Sequence, residues 1–294
     1  MRVLHVTDTH LGAEGWYRGA PRGWRRADDH LAAFRTALAP AFRGEVDLVL
    51  HTGDVFDRSR PPAHAVAEAE RLLAEVGRIV PTIVMPGNHD RQGLHAHFPN
   101  AIPGVQVLDT PTHVTVSGIR IGVVPFFRDA TVWAAAAADV SRPGVDLLLA
   151  HQAFAGSRVP GHVFAREPDT IGARHIPAGV RWILCGHIHP RQSLAIGGAT
   201  VLHPGSTERT AFSERYETKG ALRFDIGAGW RFQDVPARPM VYVETADDLD
   251  AIVPEALVRL APEARTPEIE AAALARGGWV APWAAPSPQL RLFA

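Results

Sequence analysis

The sequence has 294 residues, 46% of them hydrophobic, and 30 basic side chains against 31 acidic ones give a formal net charge of −1. That is apolar material enough for one large domain, or for one domain with a small appendage. A neutral total removes any argument from bulk charge for a nucleic-acid partner, although a local basic groove fits inside a neutral total.

The single cysteine, Cys185, rules out a disulfide framework. Its setting, WILC, marks it as a small buried strand residue. No apolar run is long enough to cross a bilayer. The chain opens on the strand-like Val3-Leu4-His5-Val6 with no signal-peptide pattern, so a cytoplasmic protein is expected. Lys219 is the only lysine. Arginine suits bidentate contact with phosphate, but its use for lysine throughout is first of all what a GC-rich genome produces.

In chain order, apolar runs at 2–7, 46–52, 79–85, 105–108, 113–117, 119–125, 145–150, 180–185, 199–203 and 220–226 have the length and β-branched content of buried strands. Between them, 28–43 reads as an amphipathic helix capped by Asp28 or Asp29. Residues 63–78 read as a second helix entered after Pro61-Pro62, and the alanine run 134–138 as helix material. Residues 155–177, rich in Gly, Pro and Arg, read as a long loop near the site. This alternation predicts a layered α/β architecture. The character changes after Pro236. PARPMVYVE reads as a strand, followed by an acidic helix-like stretch and a Pro- and Trp-rich tail over 277–294, with Trp279 and Trp283 folding back on the domain. We therefore divide the chain near 237, into a main domain over 1–236 and a short C-terminal appendage over 237–294, a partial cap or docking arm.

The chemically suggestive residues all follow apolar runs, where ligand sites collect in open α/β sheets. The first run leads to Asp8-Thr9-His10, whose carboxylate and imidazole at i and i+2 face one side of an extended chain. The second leads to Gly53-Asp54 with Asp57 three residues on, and the third to Gly87-Asn88-His89-Asp90. Later runs lead to His151 and to Gly186-His187-Ile188-His189. Each group alone is weak, and a lone histidine after a strand is more often a satisfied polar residue than a ligand. Together they form an oxygen and nitrogen donor set without thiolate, which suits Mn²⁺, Fe²⁺ or Zn²⁺ in an open site better than a closed structural zinc. Phosphodiester cleavage brings an anionic nucleophile to an anionic phosphorus centre. Two cations about 3.5–4 Å apart neutralise that charge, lower the pKa of a water and hold the in-line geometry. A carboxylate best touches both ions, and Asp54 is the expected bridge. His89, beside Asn88, is expected to protonate the leaving oxygen or to stabilise the transition state rather than to bind metal. Asp57 and Asp90 are expected to orient imidazoles from behind.

DTH, GDVFD, GNHD, His151 and GHIH together resemble the calcineurin-like metallophosphoesterase superfamily. Within it the similarity is to the SbcD-type DNA nuclease subunit and its archaeal and eukaryotic counterparts. It rests on MRVLHVTDTHLG, RRADDHLAAF, GDVFDRSRPP and HPGSTERTAFSE…KG. The resemblance covers about 1–236 and implies a four-layer α-β-β-α sandwich. It implies Asp8, His10, Asp54 and His189 around one metal, Asp54, Asn88, His151 and His187 around the other, and His89 as the catalytic residue. Mn²⁺ is the implied metal, with Fe²⁺, Zn²⁺ and Mg²⁺ as alternatives. It further implies DNA double-strand end processing beside an SMC-like coiled-coil ATPase subunit, and leaves room for a homodimer. Against that resemblance the chain reads as shorter than a typical member, and most of the family's capping domain is expected to be missing.

The expected function is a divalent-metal-dependent DNA exo- or endonuclease acting in repair, with a metal-activated hydroxide attacking in line. A rival on the same site is a hydrolase of small phosphodiesters or phosphomonoesters. A rival of another class is a non-catalytic DNA-binding or structural subunit, which should have lost ligands. Arg58, Arg60, Arg158, Arg166 and Arg174 form either a phosphate-binding rim or ordinary solvated loop positions. Phe127 and Phe154 are candidates to stack bases, whereas Phe126 is expected in the core, as is His51.

Overall fold

The computed structural model describes residues 1–142 and 144–282. Two six-stranded sheets face one another, and a two-stranded hairpin pairs separately. The strands are β1 (Arg2–Val6), β2 (Leu48–Thr52), β3 (Thr82–Met85), β4 (Val105–Val107), β5 (Thr112–Val116), β6 (Ile119–Val124), β7 (Leu147–His151), β8 (Arg158–Val159), β9 (His162–Val163), β10 (Trp182–Gly186), β11 (Gln192–Ile196), β12 (Ala199–His203), β13 (Lys219–Asp225) and β14 (Gly229–Val235). The first sheet runs β14-β13-β1-β2-β3-β4, the second runs β11-β12-β10-β7-β6-β5, and β8 and β9 form the hairpin. The central strands β1, β2 and β3 are parallel, as are β6, β7 and β10.

Side-chain alternation builds the layers. Along β2, Leu48 and Leu50 point between the sheets with Val3, Ile83, Leu149 and Leu184. Val49 points the other way, against helices α1 (Arg26–Ala37) and α3 (Ala63–Gly77). Along β10, Ile183 and Cys185 turn toward helix α4 (Ala130–Ser141). All five residues of β2 and of β7 are buried, which is why these strands read as unbroken apolar runs. The result is the four-layer α-β-β-α sandwich that the motifs imply.

Several local expectations need correction. The single helix read over 28–43 is two. Helix α1 ends at Ala37, and the short α2 (Ala39–Phe42) follows with Pro40 in its first turn, because proline cannot donate to the preceding turn. The cap of α1 is Arg25, not Asp28 or Asp29. Asp28 sits at the third helical position and accepts from Arg25 N at 3.2 Å. The 155–177 loop contains the hairpin β8–β9, docked by Gln192, whose side chain bonds both the N–H and the carbonyl of Arg158. After β14, strands β15 (Met240–Val243), β16 (Leu257–Leu260) and β17 (Trp279–Val280) form a separate three-stranded parallel sheet with helix α5 (Pro267–Ala275), around Val243, Val258, Leu260 and Ala273. The acidic stretch is a 3₁₀ segment, Ala246–Ala251, rather than an α-helix. Trp279 is buried, stacking edge-on to Trp24 with the Arg238 guanidinium over its ring, whereas Trp283 lies outside the described residues. Among the described residues, no helix is long and apolar enough to cross a membrane.

Candidate metal centre

The site lies where the C-terminal ends of β1, β2 and β3 in one sheet meet those of β7 and β10 in the other. The loops after β1 and β2 run in register, with Asp8 N donating to Gly53 O at 3.0 Å and His10 N to Asp54 O at 3.1 Å. His151, the last residue of β7, reaches across the sheets and donates from Nδ1 to Thr52 O at 2.7 Å. His187 N, just past β10, donates to both carboxylate oxygens of Asp8 at 3.1 Å.

All seven expected ligands converge. His10 Nε2 lies 3.1 Å from His189 Nε2, and His189 Nε2 lies 3.8 Å from Asp8 Oδ1. On the other side, Asn88 Oδ1 accepts from His151 Nε2 at 3.1 Å and from His187 Nδ1 at 2.8 Å. Asp54 stands between the two groups. Its Oδ1 accepts from His89 N at 2.8 Å, and its Oδ2 lies 3.3 Å from His151 Nε2 and 3.9 Å from His10 Nε2. Asp8, His10, Asp54 and His151 form a buried floor, while Asn88, His89, His187 and His189 are half-buried around it.

The backbone is bent to make this arrangement. Asp8, His10, Asp54 and His187 all have positive φ, between 45° and 78°. A side chain there costs on the order of 1–3 kcal/mol per residue, and such strain concentrates at functional sites. The neighbouring glycines are sterically required. A Cβ on Gly87 would meet Asp54 Oδ1 at 2.2 Å, and one on Gly186 would meet Thr7 Oγ1 at 2.2 Å and His151 Nδ1 at 2.7 Å.

Charge explains what the cluster is suited to hold. Burial opposes ionisation of Asp54, yet the charge and hydrogen bond of His151, with His89 and His10 behind, hold its carboxyl well below the usual range. Burial likewise disfavours the His151 cation, but Asp54 raises it to about 9. His10 and His187 go the other way, driven well below the ordinary imidazole value by burial and by the neighbouring histidines. Neutral imidazoles are lone-pair donors, and buried His10 Nδ1 has no hydrogen-bond partner among the described residues. Three overlapping sets, Asp8-His10-His189, His10-Asp54-His89 and Asp8-Asp54-His151, bring their donor atoms within 4.8 Å of one another. Lone pairs of nitrogen and oxygen at that spacing fit divalent cations.

The remaining expected residues divide. His89 donates from Nδ1 to the main-chain oxygen of Asp57 at 2.6 Å, so Asp57 orients that imidazole through its backbone. The Asp57 carboxylate is 3.8 Å from His10 Nδ1. Asp90 orients no imidazole. Its buried carboxylate accepts from the N–H groups of Val55, Phe56 and Gly87 at 3.0–3.1 Å and locks the loop after β2 to the loop after β3. Arg58, Arg60 and Arg158 are exposed, and Arg58 pairs with Glu14 at 3.2 Å. Phe126 is half-buried with its ring centroid 5.6 Å from that of His187, so it walls the site instead of filling the core. Phe154 is fully buried against Trp133 and cannot stack a base. His51 is the buried strand histidine expected of it, 3.1 Å from Thr9 Oγ1. One participant escaped the motif reading: Glu214, whose Oε1 accepts from His189 Nδ1 at 2.8 Å.

The chain is similar to archaeal proteins described as "DNA double-strand break repair protein Mre11". It is 24% identical to that of Methanosarcina mazei over 84% of this chain, and 26% identical to that of Saccharolobus solfataricus over 77%. It spans 40% and 60% of those proteins' lengths. The Thermoplasma acidophilum protein is 27% identical over 83% of this chain and 68% of its own. A solved structure from Thermus thermophilus shares the fold, at a TM-score of 0.50 and 15% identity, covering 80% of this chain and 99% of that one. Residues 1–191, from β1 through the GHIH segment, match the family described as calcineurin-like phosphoesterase, and the chain belongs to that family of metal-dependent phosphoester hydrolases.

Proposed function

We propose that this chain is a divalent-metal-dependent DNA phosphodiesterase acting in repair, with Mn²⁺ as the favoured metal. The observation that carries the reading is Asp54, whose carboxylate lies between a donor group made by Asp8, His10 and His189 and one made by Asn88, His151 and His187. Each group together with Asp54 would offer four donors to one ion, with the Asp54 carboxylate common to both. Two such ions, when bound, neutralise phosphate charge and lower the pKa of a water to give the hydroxide nucleophile.

The chain's own residues supply the rest. His89, with Nδ1 committed to Asp57 O, keeps Nε2 to hold a proton for the leaving oxygen. The half-buried rim of Asn88, His187 and His189 presents the donors to a substrate from one side, with Phe126 as a wall. Arg60 and Arg158 are exposed and placed for backbone phosphates, which position a nucleic acid without reading its sequence, and Arg58 would join them by leaving its pair with Glu14. DNA as the substrate class is supported by the described role of the relatives. On this reading an SMC-like coiled-coil ATPase is the partner subunit and the protein forms a homodimer. We place the division between the catalytic unit and the appendage near 237, in the connection between β14 and β15.

The test offers purified protein with Mn²⁺ a linear duplex, single-stranded DNA, a cyclic dinucleotide and bis-p-nitrophenyl phosphate. Cleavage of DNA is expected. Hydrolysis of the small diesters with DNA left intact would move the substrate class to small phosphodiesters. No hydrolysis at all with two ions bound would leave a DNA-binding or structural role.

A further inference from the structure

The 208–219 segment carries an unusual concentration of buried charge. Glu208, Glu214 and Lys219 are all at most 6% exposed, and Lys219 is the only lysine of the chain. Burying an ammonium is expensive unless carboxylates compensate it, and here they do. Lys219 Nζ lies 2.6 Å from Glu214 Oε2 and 2.7 Å from Glu217 Oε2, with its third direction toward His189 O at 3.5 Å. The other oxygen of Glu214 accepts from His189 Nδ1 at 2.8 Å and from the Thr210 hydroxyl at 2.7 Å. Thr210 N adds a bond to Oε2 at 3.1 Å.

Glu214 sits in a single 3₁₀ turn, Phe212–Glu214, which would be loose by itself. Arg209 fastens it. Its guanidinium donates to Glu214 O at 3.2 Å, Glu217 O at 2.9 Å and Arg238 O at 2.8 Å. The carboxylate is therefore held by the chain on both sides and by four polar partners.

We infer that Glu214 is a positioning residue for His189, with Lys219 as its fixed counter-charge. The bond to Nδ1 commits the proton of neutral His189 to that nitrogen. Nε2, which points at His10 Nε2 and Asp8 Oδ1, is left with a lone pair for a cation. A carboxylate behind a ligating imidazole also raises its basicity, and losing one typically weakens metal affinity about 10–100-fold. The inference rests on the proposed role of His189 as a ligand. It makes the Asp8-His10-His189 half of the centre depend on a residue far along the chain, whereas among the described residues no carboxylate stands behind His151 or His187 in this way. His151 Nδ1 is held by the Thr52 carbonyl instead.

The test titrates metal-free wild type, Glu214→Gln and Glu217→Gln with Mn²⁺ and follows the affinity of each ion by calorimetry and electron paramagnetic resonance. Gln keeps the shape and removes the charge. The expected result is a loss of about 10–100-fold for one of the two ions in Glu214→Gln with the second ion unchanged. Both Gln variants should melt lower than wild type when metal-free, because each removes one counter-charge of buried Lys219, so the ion-specific loss separates the bond to His189 from plain destabilisation. Glu217→Gln, which touches Lys219 but not His189, should bind both ions as wild type. Equal affinities in wild type and Glu214→Gln, or equal losses in both variants, would overturn the inference. A wild type that binds no metal would instead overturn the reading of the centre itself. Should the Gln variant not fold, Zn²⁺-loaded wild type answers alone: a slowly exchanging, downfield N–H proton on His189 Nδ1 is expected, and its absence contradicts the role of Glu214.

Discussion

His89 donates from Nδ1 to the main-chain oxygen of Asp57 at 2.6 Å, as His151 does to that of Thr52 at 2.7 Å. Its orientation is fixed by backbone that no side-chain substitution removes. Its ring stands edge-on to His10, with centroids 4.9 Å apart. His89→Ala should therefore keep both metals and lose about 10²–10⁴-fold in kcat, the usual contribution of a positioned general acid. Metal content by elemental analysis beside single-turnover rates checks it. Near-normal turnover would remove His89 from the mechanism.

Gly87 tests the packing of the floor. Its hypothetical Cβ would lie 2.2 Å from Asp54 Oδ1, 2.5 Å from Asp54 N and 2.6 Å from His151 Cε1. All three distances are shorter than any real Cβ contact, so one of these groups must shift. Gly87→Ala should displace the shared carboxylate and lower Mn²⁺ affinity at least tenfold, while the circular dichroism of the fold stays as in wild type. Unchanged affinity would mean that Asp54 is not held where its role requires.

Asp29 joins the main domain to the connection before β15. It takes two bonds from Arg238 at 2.6 Å and one from Arg26 at 2.7 Å. Burial pushes its carboxyl up, but the Arg238 hydrogen bonds and the Arg26 charge prevail and hold it below the ordinary carboxyl value. A depressed folded-state value means stability that is present above the unfolded value and lost as pH falls through the folded one. Asp29→Asn should cost on the order of 2 kcal/mol at pH 7, less than the ~3–5 of a fully buried pair. The difference from wild type in thermal melts should shrink below about pH 4. A difference that stays constant down to pH 2 would contradict the assignment.

His30 contributes in the opposite chemical sense. It is fully enclosed, its Nδ1 donates to Thr9 O at 3.0 Å and its Nε2 has no partner. Burial and the Arg26 charge push it down to about 3. Between its unfolded value near 6.5 and about 3, the unfolded chain takes up a proton that the native state refuses, so this contribution to stability is lost as pH falls through that window. His30→Gln should flatten the dependence of melting temperature on pH between 7 and 5 relative to wild type. An identical slope would show that His30 does not remain neutral in the fold.

The strand ends were readable because the parallel strands are buried on both faces, and their apolar runs stop where the donors begin. Asp8, Asp54 and His187 stand out for that reason, each just beyond its strand. Of the four edge strands, β4 and β5 read as apolar runs, and β11 and β14 do not. β11 alternates half-buried and exposed positions, and most of β14 is not buried, so neither forms an apolar run. The break before Pro40 follows from a rule that the amphipathic pattern overrode. Glu214 carries no periodic signal, since a one-turn 3₁₀ segment has none and His189 lies 25 residues away. Its only trace was the HPGSTERTAFSE…KG similarity, which includes both Glu214 and Lys219 without saying what they touch. Asp90 reads from the sequence as a carboxylate beside Asn88 and His89, but its three backbone partners depend on how two separate loops approach.

The central claim is a pair of ions sharing Asp54, and anomalous diffraction at the manganese edge from Mn²⁺-soaked crystals tests it most directly. The account expects two peaks about 3.5–4 Å apart, one against Asp8, His10 and His189, the other against Asn88, His151 and His187, with the Asp54 carboxylate touching both. A single peak, or two peaks of which only one reaches Asp54, would contradict it.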